Sequence, residues 1–132
     1  MARAAAPEVV HLDTHVVCWL YEGRSELLSP RAAEAIERGR LFVSPIVDLE
    51  LQFLHEIGRI SKGPEPILRA LADDIGLQVE PAAFARIAAH ARELGWTRDP
   101  FDRLIVAQAG LARAGLVSKD RLIRRHYPAA LW

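Results

Sequence analysis

The sequence predicts an α/β domain built on a mainly parallel sheet of four to five short strands. Short β-type runs alternate along the chain with helix-type segments of ten or more residues. Strands separated by such segments join through crossover connections, which give a parallel sheet covered on both faces. Ser-Pro and Asp-Pro steps and single glycines punctuate the junctions, as caps, first-turn prolines and helix ends do. The 132 residues fit one domain over 1–132, and 51% hydrophobic with 26% charged residues is a globular composition.

Taken in order, Glu8–Leu12 reads as a first strand ending at Asp13, with a helix through Val16–Leu20. Ser29-Pro30 opens a helix that closes near Gly39, and Leu41–Val43 is a second strand. Ser44-Pro45 opens a helix ending about Gly58, and Pro64 and Pro66 start a short one. Leu77–Val79 is a third strand, followed by a helix from Pro81 to near Gly95. Asp99-Pro100 begins a helix that ends near Gly115, Leu116–Ser118 is a fourth strand, and Ala129–Trp132 adds a short edge strand.

Composition narrows the function classes. Seventeen Lys+Arg balance seventeen Asp+Glu, which disfavours gripping nucleic acid by bulk charge and leaves local patches open. All the basic residues except Lys62 and Lys119 are arginine, a side chain suited to bidentate phosphate contacts, although genomic codon bias gives the same excess. The lone Cys18 makes no internal disulfide and no thiolate zinc cluster. The longest apolar stretch, Val16–Leu20, is far too short for a membrane span, and Met1–Glu8 lacks the apolar core of a secretory signal. The expectation is a cytoplasmic domain with no membrane contact.

Ligands in open parallel sheets sit outside the carboxyl ends of the strands, where Asp13, Ser44 and Ser118 fall. Asp13 follows the first strand; an Asp there also serves as a helix cap. Glu50 lies four residues after Ile46 and four before Leu54, inside an apolar stripe of Ile46, Phe53, Leu54 and Ile57. A carboxylate facing the core costs several kcal/mol unless paired or bound to a cation; an arginine partner would also satisfy it. Asp48 and Glu56 fall off that stripe and read as solvated. Asp99 and Asp102 in Asp99-Pro-Phe-Asp102 form a variant capping box, but Asp102 points forward toward the sheet edge. Asp120 follows the fourth strand and opens Arg121–Arg125. Carboxylates gathered at one sheet edge repel unless a cation neutralises them, and oxygen-only ligands suit Mg²⁺ or Mn²⁺ rather than zinc. Such a site can activate water and stabilise an in-line displacement at phosphorus.

The order Leu12-Asp-Thr-His15, Ser44-Pro-Ile-Val-Asp-Leu-Glu50, Arg98-Asp-Pro-Phe-Asp-Arg-Leu-Ile-Val-Ala-Gln-Ala109 and Leu116-Val-Ser-Lys-Asp120 resembles a PIN domain, and more closely the VapC-type toxins of toxin–antitoxin pairs. The likeness covers nearly the whole chain. It implies a PIN-like α/β/α sandwich and a Mg²⁺- or Mn²⁺-dependent endoribonuclease. Asp13, Glu50, Asp102 and Asp120 would be the catalytic and metal-binding quartet. Thr14 and Ser118 match supporting hydroxyls, and Asp99 is a cap or a group behind the ligands. His15 recurs in this subgroup and is assigned no catalytic role. Arg103, Arg121, Arg124 and Arg125 are candidate RNA contacts, although a charge run such as Arg124-Arg125 also suits a solvated helix face. The resemblance further implies an RNA substrate, a homodimer, and a VapB-type antitoxin protein over an apolar groove. Trp19, Tyr21, Leu51, Phe53 and Leu54 are candidates for that groove, or for ordinary core.

Three rival readings differ in class. A haloacid-type phosphatase needs a second Asp where His15 stands. Zinc hydrolysis through His11, Asp13 and His15 lacks a third histidine at ligand spacing. A non-catalytic PIN scaffold would be expected to lose acids, and all four remain.

Overall fold

The computed structural model describes residues 8–132. Met1–Pro7, on which the expectation against export partly rests, lie outside the described residues. The chain runs β1 (Val9–Leu12), α1 (Thr14–Tyr21), a 3-10 turn (Ser25–Leu27), α2 (Pro30–Arg38), β2 (Arg40–Val43), α3 (Pro45–Glu56) and α4 (Pro64–Ile75). It continues with β3 (Gln78–Val79), α5 (Phe84–Ala91), α6 (Pro100–Leu111), β4 (Gly115–Val117), α7 (Arg121–His126) and β5 (Ala130–Leu131). Among the described residues no helix is long and apolar enough to cross a membrane.

The five strands form one sheet in the order β3-β2-β1-β4-β5, every pairing parallel. Val10 pairs with Leu41 on one side and Gly115 on the other. Strand order reverses between β1 and β4, and a parallel sheet opens a crevice at the carboxyl ends of such a pair. The backbone N–H of Asp13 donates to Val117 O at 3.1 Å, carrying the β1–β4 ladder to the mouth of that crevice.

Val10, Leu12, Leu116 and Val117 from the strands meet Val16, Val17, Val47, Leu51 and Ile105 from the helices in the main core, all nearly inaccessible. Each such side chain contributes about 1.5–3 kcal/mol by leaving water. A smaller cluster of Ile87, Ala91 and Ala107 seals α5 against α6.

The predicted elements all form, with departures in their bounds and in one helix face. The helix from Pro64 is not short: it runs to Ile75 and stops at Gly76, whose φ of +70° suits glycine. Pro81 does not start α5: Glu80 N–H donates to Val43 O at 2.9 Å, continuing the β2–β3 pairing, and the helix begins at Phe84 and ends at Ala91, short of Gly95. α6 passes through Gly110 and ends at Leu111, because Arg113 takes the left-handed turn (φ 52°) instead of a glycine. The apolar stripe on α3 is also rotated: Val47 and Leu51 are its core residues, while Phe53 and Ile57 are 46% and 52% exposed.

Candidate active site

Asp13 is pinned where β1 becomes α1. Its Oδ1 accepts from Thr14 N–H at 2.8 Å, and its Oδ2 accepts from the Ser118 hydroxyl at 2.6 Å. Only 3% of Asp13 is exposed, a degree of burial a carboxylate tolerates when it is hydrogen-bonded. Thr14, one residue on, donates its hydroxyl to Glu50 Oε1 from α3. Ser118 receives Asp120 N–H at 3.1 Å, and Asp120 Oδ1 accepts Ile123 N–H at 3.0 Å to cap α7. Asp99 Oδ1 accepts from Phe101 and Asp102 N–H at 2.8 and 3.2 Å, so its capping role is real.

The quartet expected from the sequence comes together. Asp13, Glu50, Asp102 and Asp120, with Thr14, line one open cavity of about 380 Å³. Ser118 is buried behind this wall, bonded to Asp13, and Asp99 is exposed at the start of α6, outside the lining. Glu50 reaches it from the flank of the α3 core face, half-buried beside Val47 and Leu51. Asp48 and Glu56 are exposed, as read from the sequence.

Burial and mutual repulsion mark two of the acids. Burial, opposed by the Thr14 hydrogen bond and reinforced by Asp13 and Asp99, pushes the Glu50 carboxyl from 4.5 up to about 7. Asp102, half-buried and repelled by Asp13, Asp99, Asp120 and Glu50, rises from 3.8 to about 8. A cation held between such groups would reverse both trends. The donor set is oxygen, the chemistry of Mg²⁺ and Mn²⁺. Among the described residues no three His, Cys, Asp or Glu side chains are gathered closely enough to hold a metal as they stand. Uncompensated like charges at low dielectric favour such an open arrangement. Burial raises the Cys18 thiol to about 11, so this lining residue is not a thiolate. His11 does not line the cavity; its ring lies 3.4 Å from Glu80, which leaves the His11–Asp13–His15 zinc reading without a site.

The arginines are a different matter. None of Arg103, Arg121, Arg124 and Arg125 lines the acidic cavity, and Arg103 Nε instead donates to Thr97 O at 2.8 Å. The arginine that does line it is Arg59, which sequence reading missed. Gly58, with φ +77°, turns the chain at the end of α3, and Arg59 N–H donates to Leu54 O at 2.8 Å. The glycine was a legible signal for the turn, but not for where the next residue would land. Of the groove candidates, Leu51 is wholly buried core, whereas Trp19 and Leu54 line the cavity beside Ile60. Tyr21 lines an adjoining hollow that shares Cys18, Glu22 and Ile60. Phe53 is exposed and sits 5.9 Å from the ring of Phe101.

The PIN domain family matches residues 10–127. Ribonuclease VapC22 of Mycobacterium tuberculosis is 35% identical over 130 residues, 93% of this chain and 98% of that protein. The fold is shared with VapBC2 from Rickettsia felis bound to a DNA fragment from their promoter, at TM-score 0.63 and 18% identity over 92% of this chain and 96% of that one. It is also shared with VapBC-1 from nontypeable Haemophilus influenzae, at TM-score 0.61 and 20% identity over 92% and 95%. The all-parallel five-stranded sheet, the motif order and the near-complete alignment agree: this chain belongs to the PIN-domain family, and resembles its VapC members.

Proposed function

We propose that the protein is a divalent-metal-dependent endoribonuclease, the toxin of a VapBC-type toxin–antitoxin pair. The observation that carries this reading is the convergence of four carboxylates from four different elements on one cavity at the β1–β4 crevice. The 35% identity to a protein named a ribonuclease supports the reaction class.

Asp13, Glu50, Asp102 and Asp120 would hold Mg²⁺ or Mn²⁺. Bound there, the cation would supply Lewis acidity, offsetting charge at phosphorus and making water a better nucleophile. The chain's own residues keep the site in order. Ser118 and Thr14 N–H fix both oxygens of Asp13, and the Thr14 hydroxyl holds Glu50 Oε1 so that Oε2 stays free. Glu50 and Asp102, whose carboxyls are raised to about 7 and about 8, would have to be ionised to hold a cation there. Arg59 suits a phosphate next to the cleaved one, and the exposed arginines of α7 suit phosphates farther along.

A VapB-type antitoxin would cover the apolar side of the cavity, where Trp19, Leu54 and Ile60 adjoin the acids. A homodimer and a cytoplasmic location complete the reading; sedimentation of the purified protein tests the first.

The deciding experiment is cleavage of total RNA by purified, antitoxin-free protein with Mg²⁺ or Mn²⁺, beside EDTA and Asp13→Asn controls. Metal-dependent cutting that the variant loses is the expected result, and mapping the ends would identify the target. No cutting of several natural RNAs would favour a non-catalytic PIN scaffold that binds RNA or protein.

A further inference from the structure

His15 occupies a place that its lack of a catalytic assignment does not explain. It stands in the first turn of α1 with its side chain 31% exposed, on the lining of the acidic cavity. Its Nε2 lies 3.0 Å from the backbone N–H of Lys119. A backbone N–H only donates, so Nε2 must accept, and the proton of the ring therefore sits on Nδ1. That Nδ1 lies 3.4 Å from Asp13 Oδ2, the oxygen already held by Ser118. Trp19, one turn farther along α1, meets the ring edge-on with centroids 5.0 Å apart, and Trp132 packs on Trp19 at 5.9 Å. The ring is thus held from one side by an aromatic wall and at its two nitrogens by two different strand ends.

Those two ends carry two members of the quartet. Asp13 closes β1, and Lys119 directly precedes Asp120 beyond β4. Resting on the metal-site reading above, we infer that His15 is a positioning residue: it braces the Asp13 carboxylate and the Asp120 loop against each other, and so sets their spacing for a cation. It touches neither substrate nor reacting atoms in this role. Losing a group that orients a metal ligand typically costs about 10–100-fold in metal affinity or activity.

The test has a spectroscopic arm and a binding arm. In metal-free, ¹⁵N-histidine-labelled protein, the ring signal that disappears in His15→Phe should report the Nδ1–H tautomer with an accepting Nε2. In calorimetric titrations, His15→Phe should bind Mn²⁺ at least about tenfold more weakly than wild type. His15→Asn, which keeps a donor near the Nδ1 position, should recover part of that loss and guards against a variant that fails to fold. RNA-cleavage kinetics should show the loss in kcat with KM nearly unchanged.

An Nε2–H tautomer overturns the inference, as does wild-type Mn²⁺ affinity in a folded His15→Phe or His15→Asn no better than His15→Phe. Wild-type protein that binds no Mn²⁺ overturns the metal-site reading itself, and the positioning role falls with it. Asp13→Asn separates the cases: weak binding there with wild-type binding in His15→Phe overturns the inference alone.

Discussion

The two walls of the acidic cavity are built on opposite principles. On the β1–β4 wall Asp13 sits almost fully buried, each oxygen accepting a donor supplied by the sheet ends, Thr14 N–H and the Ser118 hydroxyl. On the helical wall Glu50 and Asp102 are half-buried near other acids, and their carboxyls rise to about 7 and about 8. One wall is satisfied by hydrogen bonds before anything binds; on the other, the Thr14 hydroxyl offsets part of the cost of ionising Glu50, and a proton or a cation relieves the rest. A hydrogen-bonded carboxylate fixes position, whereas a repelled one supplies driving force for binding. A site that must take up a cation uses both.

The largest effect should come from removing charge at either wall. Asp13→Asn and Asp102→Asn should each lower RNA cleavage by at least about 100-fold, read as initial rates with Mn²⁺. Their stabilities should part company. Asp102→Asn relieves repulsion, so its metal-free Tm should match or exceed wild type at pH above about 8, whereas Asp13→Asn should fall below it. Equal losses in Tm would erase the distinction between the walls.

The pH dependence of metal-free stability follows with a definite sign. Glu50 and Asp102 have folded values above their ordinary 4.5 and 3.8, so between those limits the folded protein binds more protons than the unfolded chain. Stability therefore declines as pH rises from about 5 through about 8. Thermal melts in EDTA should fall by roughly 5–10 °C across that window. Mn²⁺ should restore most of the loss at the alkaline end and little at the acid end. A flat profile in EDTA would show that the helical wall is not strained.

Ser118→Ala probes the other wall. It removes a buried donor to Asp13 Oδ2 and should cost about 1–3 kcal/mol in denaturant melts, with cleavage reduced about tenfold. Asp99→Ala should cost only about 1 kcal/mol through the lost α6 cap. Because Asp99 also raises both Glu50 and Asp102, its removal should in addition shallow the EDTA pH profile. The smallest change is expected of Arg59→Gln, a rise in KM of about two- to fivefold at constant kcat, as for loss of one exposed phosphate contact.

Much of this architecture was legible in the residue order. Ser29-Pro30, Ser44-Pro45 and Asp99-Pro100 announced three helix starts to the residue, because a cap and a first-turn proline are local devices needing no tertiary partner. The short runs around Val10, Leu41 and Leu116 sufficed to give strands for the same reason. Asp13 and Asp120 were recognisable since acids at strand ends face the crevice of a parallel sheet whatever its details. The rotation of α3 was not legible. Its surface carries apolar residues nearly all round, from Ile46 and Val47 to Phe53 and Ile57, so the pattern alone left several faces open. Packing against α1, α4 and α6 chose Val47 and Leu51.

By itself, then, the sequence determined the order and type of the elements, the starts of the helices opened by Ser29-Pro30, Ser44-Pro45 and Asp99-Pro100, a mainly parallel sheet, and which acids stand at its carboxyl edge. These follow from local capping, periodicity and connection length, all properties of near neighbours along the chain. Only the tertiary structure decided that Glu50 and Asp102 would be the strained pair, that Arg59 rather than Arg103, Arg121, Arg124 or Arg125 borders the cavity, and that His15 bridges Asp13 to the Lys119 backbone. Burial, repulsion and hydrogen bonds between residues some 100 positions apart depend on how the helices pack across the β1–β4 crevice, and distance in space is not written in distance along the chain.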